Sequence, residues 1–150
     1  MNRSIFSRTR LLRFGKFGAV GIMGVGVNLL FYALFMELLG LADFLSRALA
    51  IELSILHNFA WNFAWTWKDR GTGIAMIPLR LVKYHGSSLF SSFVITLAVG
   101  WIVLRIVPEI PLERYISHLA GIGAGMITNY LLADFWVFTH GGAPDDREAD

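Results

Sequence analysis

The sequence contains no cysteine and few charged residues: Asp, Glu, Lys and Arg make up 16% of the 150 residues, against 55% hydrophobic ones. Without cysteine there is no disulfide framework and no thiolate metal site. Low charge with this apolar content excludes an ordinary soluble domain and is typical of a membrane protein. The chain also lacks a glycine-rich phosphate loop opening a helix, a nucleophile elbow and a pair of catalytic carboxylates. We therefore expect a protein that is not an enzyme and that uses no metal and no cofactor.

Four apolar stretches are candidates for membrane-spanning helices: residues 17–36, 45–67, 84–104 and 115–138. The first contains twenty consecutive uncharged residues, which cross a bilayer at about 1.5 Å per residue. A secretory signal peptide is the competing interpretation, but its apolar core would be shorter. Pro108 and Pro111 stop a helix before the last stretch, in which Gly121 and Gly125 are expected to touch a neighbouring helix. The sequence thus predicts an all-α membrane protein with four transmembrane helices.

The charges are unevenly distributed along the chain. The first sixteen residues carry five basic side chains and no acid, and the loop 68–83 carries four basic side chains and one acid. The other two turns hold acids as well as bases, so the positive-inside rule places both termini and the middle loop in the cytoplasm. We therefore expect a multi-pass protein of the inner, cytoplasmic membrane. The basic arm favours anionic lipid or phosphate over nucleic acid.

The second stretch carries many polar side chains for a membrane helix. Spacings of seven and then four residues align five of them in one helical stripe: Arg47, Ser54, Asn58, Asn62 and Thr66. Polar groups that face lipid are costly, so the stripe is expected to face other helices or a wet cleft. A soluble, buried helix is the alternative. Glu52 lies in the same stretch and needs a partner, for which His118 and Arg105 are candidates.

The two halves of the chain resemble each other. Lys16-Phe17 opens the first predicted hairpin, and Lys83-Tyr84 opens the second. Asn58-Phe59 is followed by Trp65-Thr66-Trp67, and Asn129-Tyr130 is followed at the same interval by Trp136-Val137-Phe138. Each half starts in the cytoplasm, so the repeat is parallel, with an axis along the membrane normal. The cleft between the halves is the natural place for a binding site.

Short motifs follow one another in order: Val20-Gly21 with Gly24 and Asn28, Ala50-Ile51-Glu52-Leu53-Ser54-Ile55, Asn58-Phe59 with Asn62, Trp65-Thr66-Trp67, Lys83-Tyr84-His85, Gly121-Ile122-Gly123, and Asn129-Tyr130 with Trp136-Val137-Phe138. Together they resemble the GtrA-like family of four-span membrane proteins, over roughly residues 12–139. The resemblance is closest to the membrane domain of polyprenol-phosphate mannose synthases. It implies translocation of a polyprenyl-phosphate-linked sugar, or help with it, for cell-surface polysaccharide or glycan synthesis. The alternative that it implies is a non-catalytic membrane partner that recruits a polyprenol-phosphate glycosyltransferase.

Two functional clusters are predicted. The first is a polar pocket that reads sugar hydroxyls, lined by Glu52, Asn58, Asn62, Asn129 and Asn28. Amides also bridge helices, and a buried acid also serves as a structural clamp, so both roles stay open. The second lies at the cytoplasmic mouth, holds a lipid phosphate or simply orients the chain, and consists of Arg13, Lys16, Arg80 and Lys83.

The predicted organisation has three parts: a basic cytoplasmic arm at 1–13, a four-helix membrane domain at 14–139 and an acidic, disordered tail at 140–150. The membrane domain divides into repeats at about 14–68 and 80–139. Expected partners are the bilayer, a polyprenyl-phosphate sugar lipid, a glycosyltransferase and a second copy of the chain. The identity of the sugar, that of the polyprenol and the direction of transfer stay open.

Overall fold

Four long helices form the fold in the computed structural model, which describes residues 8–70, 74–106 and 113–139. Helix α1 is Arg8–Leu38, α2 is Asp43–Trp61 extended by Asn62–Thr66, α3 is Ile77–Ile106, and α4 is Glu113–Leu132 extended by Ala133–Val137. α1 packs against α2, and α3 packs against α4, as two antiparallel hairpins. The predicted all-α fold of two parallel hairpin repeats is confirmed.

Two helices begin earlier than the sequence predicts. α1 starts at Arg8, so part of the predicted arm is helical. α3 starts at Ile77, with Pro78 in its first turn, where proline is tolerated. Both added segments carry basic side chains, so a search for apolar stretches misses them. Residues 1–7 of the predicted arm, the loop 107–112 and the predicted tail at 140–150 lie outside the described residues.

The bundle is apolar on its outside, and its interior combines apolar side chains with buried polar ones. α1 and α3 are long and apolar enough to cross a membrane, and only 11% of the most apolar window of each is buried. Buried polar side chains come from α2, α3 and α4, among them Asn62, Ser87 and Asp134. This distribution suits lipid, because backbone and side-chain polar groups must find their partners within the protein.

The internal repeat is visible in ring contacts between the hairpins. Trp67 and Phe138 occupy equivalent positions at the ends of α2 and α4, and their rings stack with centroids 4.7 Å apart. The hairpins otherwise meet along two seams, α2 against α3 and α1 against α4. Ring centroids of Phe59 and Tyr84 lie 5.6 Å apart across the α2–α3 seam. Their repeat counterparts, Tyr130 and Phe17, lie 5.7 Å apart across the α1–α4 seam. The two seams are therefore equivalent at this level of the bundle.

One end of the bundle, where α1 and α3 begin, is called the basic end and is defined by Arg10, Arg13, Lys16, Arg70, Arg80 and Lys83. The apolar core lies beside it and consists of Phe17, Ile55, Phe59, Trp67, Tyr84, Tyr130, Ala133, Val137 and Phe138. Aromatic pairs at these distances contribute about 0.5–1.5 kcal/mol each beyond the burial of their area. The basic end is therefore the closed and well-packed end of the bundle.

Glycines bring α4 close to α3. A Cβ on Gly125 would lie 2.7 Å from Thr96 Oγ1 and 2.8 Å from the Ser91 carbonyl oxygen, and a Cβ on Gly121 would overlap the Thr96 carbonyl group. The prediction that Gly121 and Gly125 touch a neighbouring helix is confirmed. Gly24 has the same role between α1 and α2, since a Cβ there would overlap the side chain of Asn58.

Candidate functional site

A cavity of about 580 Å³ lies among the four helices. Its lining comprises Phe17, Gly18, Gly21, Ile22, Val25, Asn58, Asn62, Tyr84, Ser91, Ser92, Thr96, His118, Ile122, Gly125, Met126 and Asn129. From Phe17 to Val25 it follows α1 for about 12 Å at the usual helical rise. Its volume falls in the range of about 300–1,000 Å³ that is common for small-molecule sites.

Three of the predicted asparagines reach the cavity, and two of them also bridge helices. Asn62 donates to the Tyr84 hydroxyl at 2.8 Å. Asn129 accepts from the Ser87 hydroxyl at 3.2 Å. Asn58 packs against Gly24 on α1 and lies 3.3 Å from the ring of its neighbour His57. Amides from both repeats therefore meet at one cavity, as the repeat predicts.

Ser91, which lines this cavity on α3, has a buried hydroxyl that lacks a hydrogen-bond partner in the part of the chain that the structure describes. Ser91 begins a π-helical turn, Ser91–Ile95, in the middle of α3. Its side chain is buried, with 1% exposure, and its Oγ has no hydrogen-bond partner among the described residues. An unpaired buried hydroxyl costs about 1–3 kcal/mol, and π-helical turns are frequent at functional sites. Thr96 lines the same wall and donates to the Ser91 carbonyl at 3.2 Å.

The cavity is closed towards the basic end and open to the side. Phe17, Tyr84 and Asn62 are buried parts of the core and form its floor. Its lateral rim instead consists of exposed apolar side chains on α1 and α4: Ile22, Val25, Ile122 and Met126. An exposed apolar rim at the middle of a membrane helix faces lipid, so the cavity opens towards the bilayer.

Glu52 lies elsewhere than the predicted pocket. It is on the side of α2 that faces α3, and its carboxylate is 3.5 Å from His85 Nε2, with 49% of the side chain exposed. This partner is neither His118, which lines the cavity, nor Arg105, whose guanidinium lies over Trp101. Asn28 also lies outside the cavity, because it is located beyond Val25, where the lining on α1 ends.

The four predicted phosphate ligands fall into two pairs. Arg13 is hydrogen-bonded to Asp69, and Arg80 donates to the carbonyls of Arg70 and Thr139 at 3.0 and 2.7 Å. These two arginines therefore hold the protein together at its basic end.

Lys16 and Lys83 are in a different setting. The Lys16 ammonium lies 5.4 Å from the ring centroid of Trp65, and the Lys83 ammonium lies 5.5 Å from that of Trp136. The two pairs are repeat counterparts, and such cation–π contacts contribute about 0.5–1 kcal/mol at exposed positions.

An ionic network around Asp134 was not predicted. The carboxylate, 1% exposed, accepts from Arg70 Nη2 at 2.7 Å and from Trp67 Nε1 at 3.0 Å. Arg10 and Arg13 lie 3.7 and 3.9 Å away. Arg70 also donates to the carbonyl of Phe138 at 2.9 Å, which ties the short 3₁₀ turn Lys68–Arg70 to the end of α4. Burial lowers the pKa of Arg70, and the nearby Asp134 carboxylate opposes this shift.

The sequence holds only a weak signal for this network. Asp134 is an acid within an apolar stretch, which is a recognised indicator of a function or a buried partner. Its partner Arg70 is 64 positions away along the chain, so no local pattern connects them. The Ser91 hydroxyl was missed for a similar reason, since its burial depends on how α3 packs.

The opposite end of the bundle carries a smaller cluster at the turn between α1 and α2. Arg47 Nε donates to Asp43 at 2.9 Å, and the Tyr32 hydroxyl donates to the same carboxylate at 2.6 Å. Hydrogen bonds from Arg47 and then from Tyr32 hold the pKa of Asp43 below its usual value. Arg47, the first residue of the predicted polar stripe, thus closes a turn, whereas the rest of the stripe faces other helices.

Comparison with known proteins supplies the family. The model of the GtrA/DPMS transmembrane domain matches residues 16–142. Over 120 residues the chain is 38% identical to a dolichol-phosphate mannosyltransferase of Pyrococcus furiosus. The matched region covers 80% of this chain and 32% of the relative. The chain thus spans about a third of the length of that relative. With its four helices and its apolar exterior, it is a membrane protein that belongs to the GtrA/DPMS transmembrane domain family.

Proposed function

We propose that this protein binds a polyprenyl-phosphate-linked sugar in the cavity among its helices and helps the sugar to cross the membrane. The observation that carries this proposal is a largely apolar cavity at membrane depth that holds a small set of hydroxyl and amide groups behind an apolar rim. A lipid-linked sugar has the matching distribution, with a polar head and a long apolar tail.

The walls of the cavity supply the chemistry that a sugar requires. Ser91, Ser92 and Thr96 offer hydroxyls on one side, and Asn58 and Asn129 offer amides from the other helices. Hydroxyl and amide groups both donate and accept, so they can pair with sugar hydroxyls in either sense. These groups can bind a neutral sugar through hydrogen bonds alone. The protein therefore needs no charged side chain inside the membrane, where a charge would be costly.

The similarity to a dolichol-phosphate mannosyltransferase supports the substrate class. That enzyme's name joins a polyprenyl phosphate to mannose, and we assign this chain a role with a lipid of the same class. The role we infer is non-catalytic binding, for which the cavity offers hydroxyls, amides and one imidazole.

Lys16 and Lys83 are our proposed contacts for the lipid phosphate when the head group lies at the basic end, outside the closed floor of the cavity. Arg13 and Arg80 already donate to acceptors within the protein, whereas each of the two lysines lies over an indole ring. We propose that the basic end faces the cytoplasm of an inner membrane, because basic loops stay on that side. Glu52 has a different proposed role, as a clamp between α2 and α3 through His85.

The alternative function is a membrane partner that recruits a glycosyltransferase. Two observations favour it: about two thirds of the P. furiosus relative lies outside the matched region, and the basic end carries a cluster of charged side chains. Both functions use the same lipid, but only the first needs the cavity.

Transfer of a fluorescent polyprenyl-phosphate mannose across proteoliposome membranes tests the proposal. We expect Ser91→Ala to slow transfer at least tenfold, because it removes the unpaired hydroxyl and leaves the rest of the side chain unchanged. Ser117→Ala is the control, since Ser117 bonds the Gly100 carbonyl at 2.7 Å and lies outside the cavity. Equal rates in wild type, Ser91→Ala and empty liposomes would reject the transfer function, and co-purification with a glycosyltransferase would then favour the alternative.

A further inference from the structure

The two seams between the hairpins are equivalent at the ring contacts Phe59–Tyr84 and Phe17–Tyr130, but they differ farther from the basic end. Lys16 corresponds to Lys83 and Asn58 to Asn129, so the same offsets relate His85 to Gly18 and Glu52 to Gly123. The α2–α3 seam is bridged by the Glu52–His85 pair, with 3.5 Å between carboxylate and imidazole. At the corresponding positions the α1–α4 seam has two glycines.

These glycines leave space. A Cβ built on Gly18 or on Gly123 would meet no atom of the described residues within 4 Å. Gly18 and Gly21 both line the cavity, so the gap on α1 leads directly into it. By contrast, Gly24, Gly121 and Gly125 are tightly packed against other helices. Gly24, Gly121 and Gly125 thus allow close helix contacts, whereas Gly18 and Gly123 leave vacant the side-chain positions that Glu52 and His85 fill at the other seam.

The polarity of the cavity changes along this gap. At the mouth of the gap, Ile22, Val25 and Met126 are exposed and apolar. Deeper in the cavity, the lining includes Ser92 and Thr96 on α3 and the amides Asn58 and Asn129. An apolar mouth with polar groups grouped behind it matches an amphiphile whose head lies inside and whose hydrocarbon chain extends into the bilayer.

We propose that the α1–α4 seam, between Gly18 and Gly123, is the lateral entrance through which the isoprenoid chain of a polyprenyl phosphate lipid passes between the cavity and the bilayer. The opposite seam is held shut by Glu52 and His85. This inference rests on the proposed function, because it takes a polyprenyl lipid as the occupant. The inference adds that the lipid enters from one side only. The two repeats are nearly symmetric, so the fold alone does not require this.

Photolabelling in nanodiscs tests the entrance. The probe is a C55 polyprenyl phosphate with a diazirine on its isoprenoid chain, and labelled peptides are mapped by mass spectrometry. We expect saturable labelling on α1 between Gly18 and Val25 and on α4 between Ile122 and Met126. The double substitution Gly18→Leu/Gly123→Leu should reduce this labelling at least tenfold. Gly26→Leu/Gly86→Leu is the matched control, since both positions are exposed with open space around them, and it should label as wild type.

The outcomes separate the entrance from the function. Saturable labelling concentrated on the α2–α3 seam, or unchanged labelling in Gly18→Leu/Gly123→Leu, would overturn the entrance and leave the proposed function standing. Absence of saturable labelling anywhere on wild-type protein would overturn both. A second double substitution, Gly18→His/Gly123→Glu, places at the α1–α4 seam the same His–Glu pair that bridges the α2–α3 seam. It should also reduce labelling, and normal labelling in a variant that melts like wild type would count against the entrance.

Discussion

Replacing Asp134 by asparagine should strongly destabilise the bundle. Its carboxylate is 1% exposed and pairs with Arg70 at 2.7 Å, with two further arginines within 4 Å. Two unit charges about 4 Å apart attract each other by about 4 kcal/mol at an effective dielectric constant near 20. Desolvation cancels much of this gain in the native protein, but removal of one charge leaves its buried partner uncompensated, at a cost of about 3–5 kcal/mol.

The structure also predicts an order among variants. Asp134→Asn keeps an acceptor for Trp67 but leaves Arg70 buried beside two other positive charges. Arg70→Gln is expected to cost less electrostatically, because Arg10 and Arg13 still compensate the carboxylate. The double variant Asp134→Leu/Arg70→Met removes both charges, so its loss should be smaller than the sum of the single losses by about 2 kcal/mol.

Thermal unfolding in detergent, followed by tryptophan fluorescence, measures these effects, since Trp67 lies within the network. Asp134→Asn should lower Tm by about 10 °C, if each kcal/mol corresponds to about 2–4 °C for a protein of this size. Asp43→Asn is the control, because it breaks an exposed ion pair at the other end of the bundle and should change Tm little. A wild-type Tm for Asp134→Asn, or strictly additive losses in the double variant, would refute the reasoning.

Three other predictions concern packing, orientation and Glu52. Gly121→Leu/Gly125→Leu should overpack α4 against α3 and lower the free energy of unfolding by about 1–3 kcal/mol. Its Tm should therefore lie below that of the control Gly86→Leu, and equal Tm values would contradict the close approach of the two helices. A cysteine placed at Gly73 is clean to label because the chain has none, and reagent should reach it only from the cytoplasmic side; labelling from outside would reverse the predicted topology. Glu52→Gln should preserve transfer if Glu52 is only a clamp, and loss of transfer in a variant that still folds would make its charge functional.

Much of the architecture could be predicted from residues taken along the chain. Hydropathy located four helices because each must match a membrane of fixed thickness. The motif pairs predicted the repeat, and the stacking of Trp67 on Phe138 shows it in three dimensions. Asn58, Asn62 and Asn129 line one cavity in the structure, and the sequence gives a reason for this, because a helical stripe of amides is costly in lipid.

The sequence by itself determined the class, the number of helices and which of their faces are polar, since each depends on local composition and helical period. Only the tertiary structure decided which polar groups meet. Glu52 pairs with His85, and Asp134 pairs with Arg70, because of how the helices are rotated and tilted against one another. The same packing turned two of the predicted phosphate ligands, Arg13 and Arg80, towards acceptors in the protein. It also brought Glu52 against His85 at one seam, while their repeat counterparts Gly123 and Gly18 leave those side-chain positions vacant at the other.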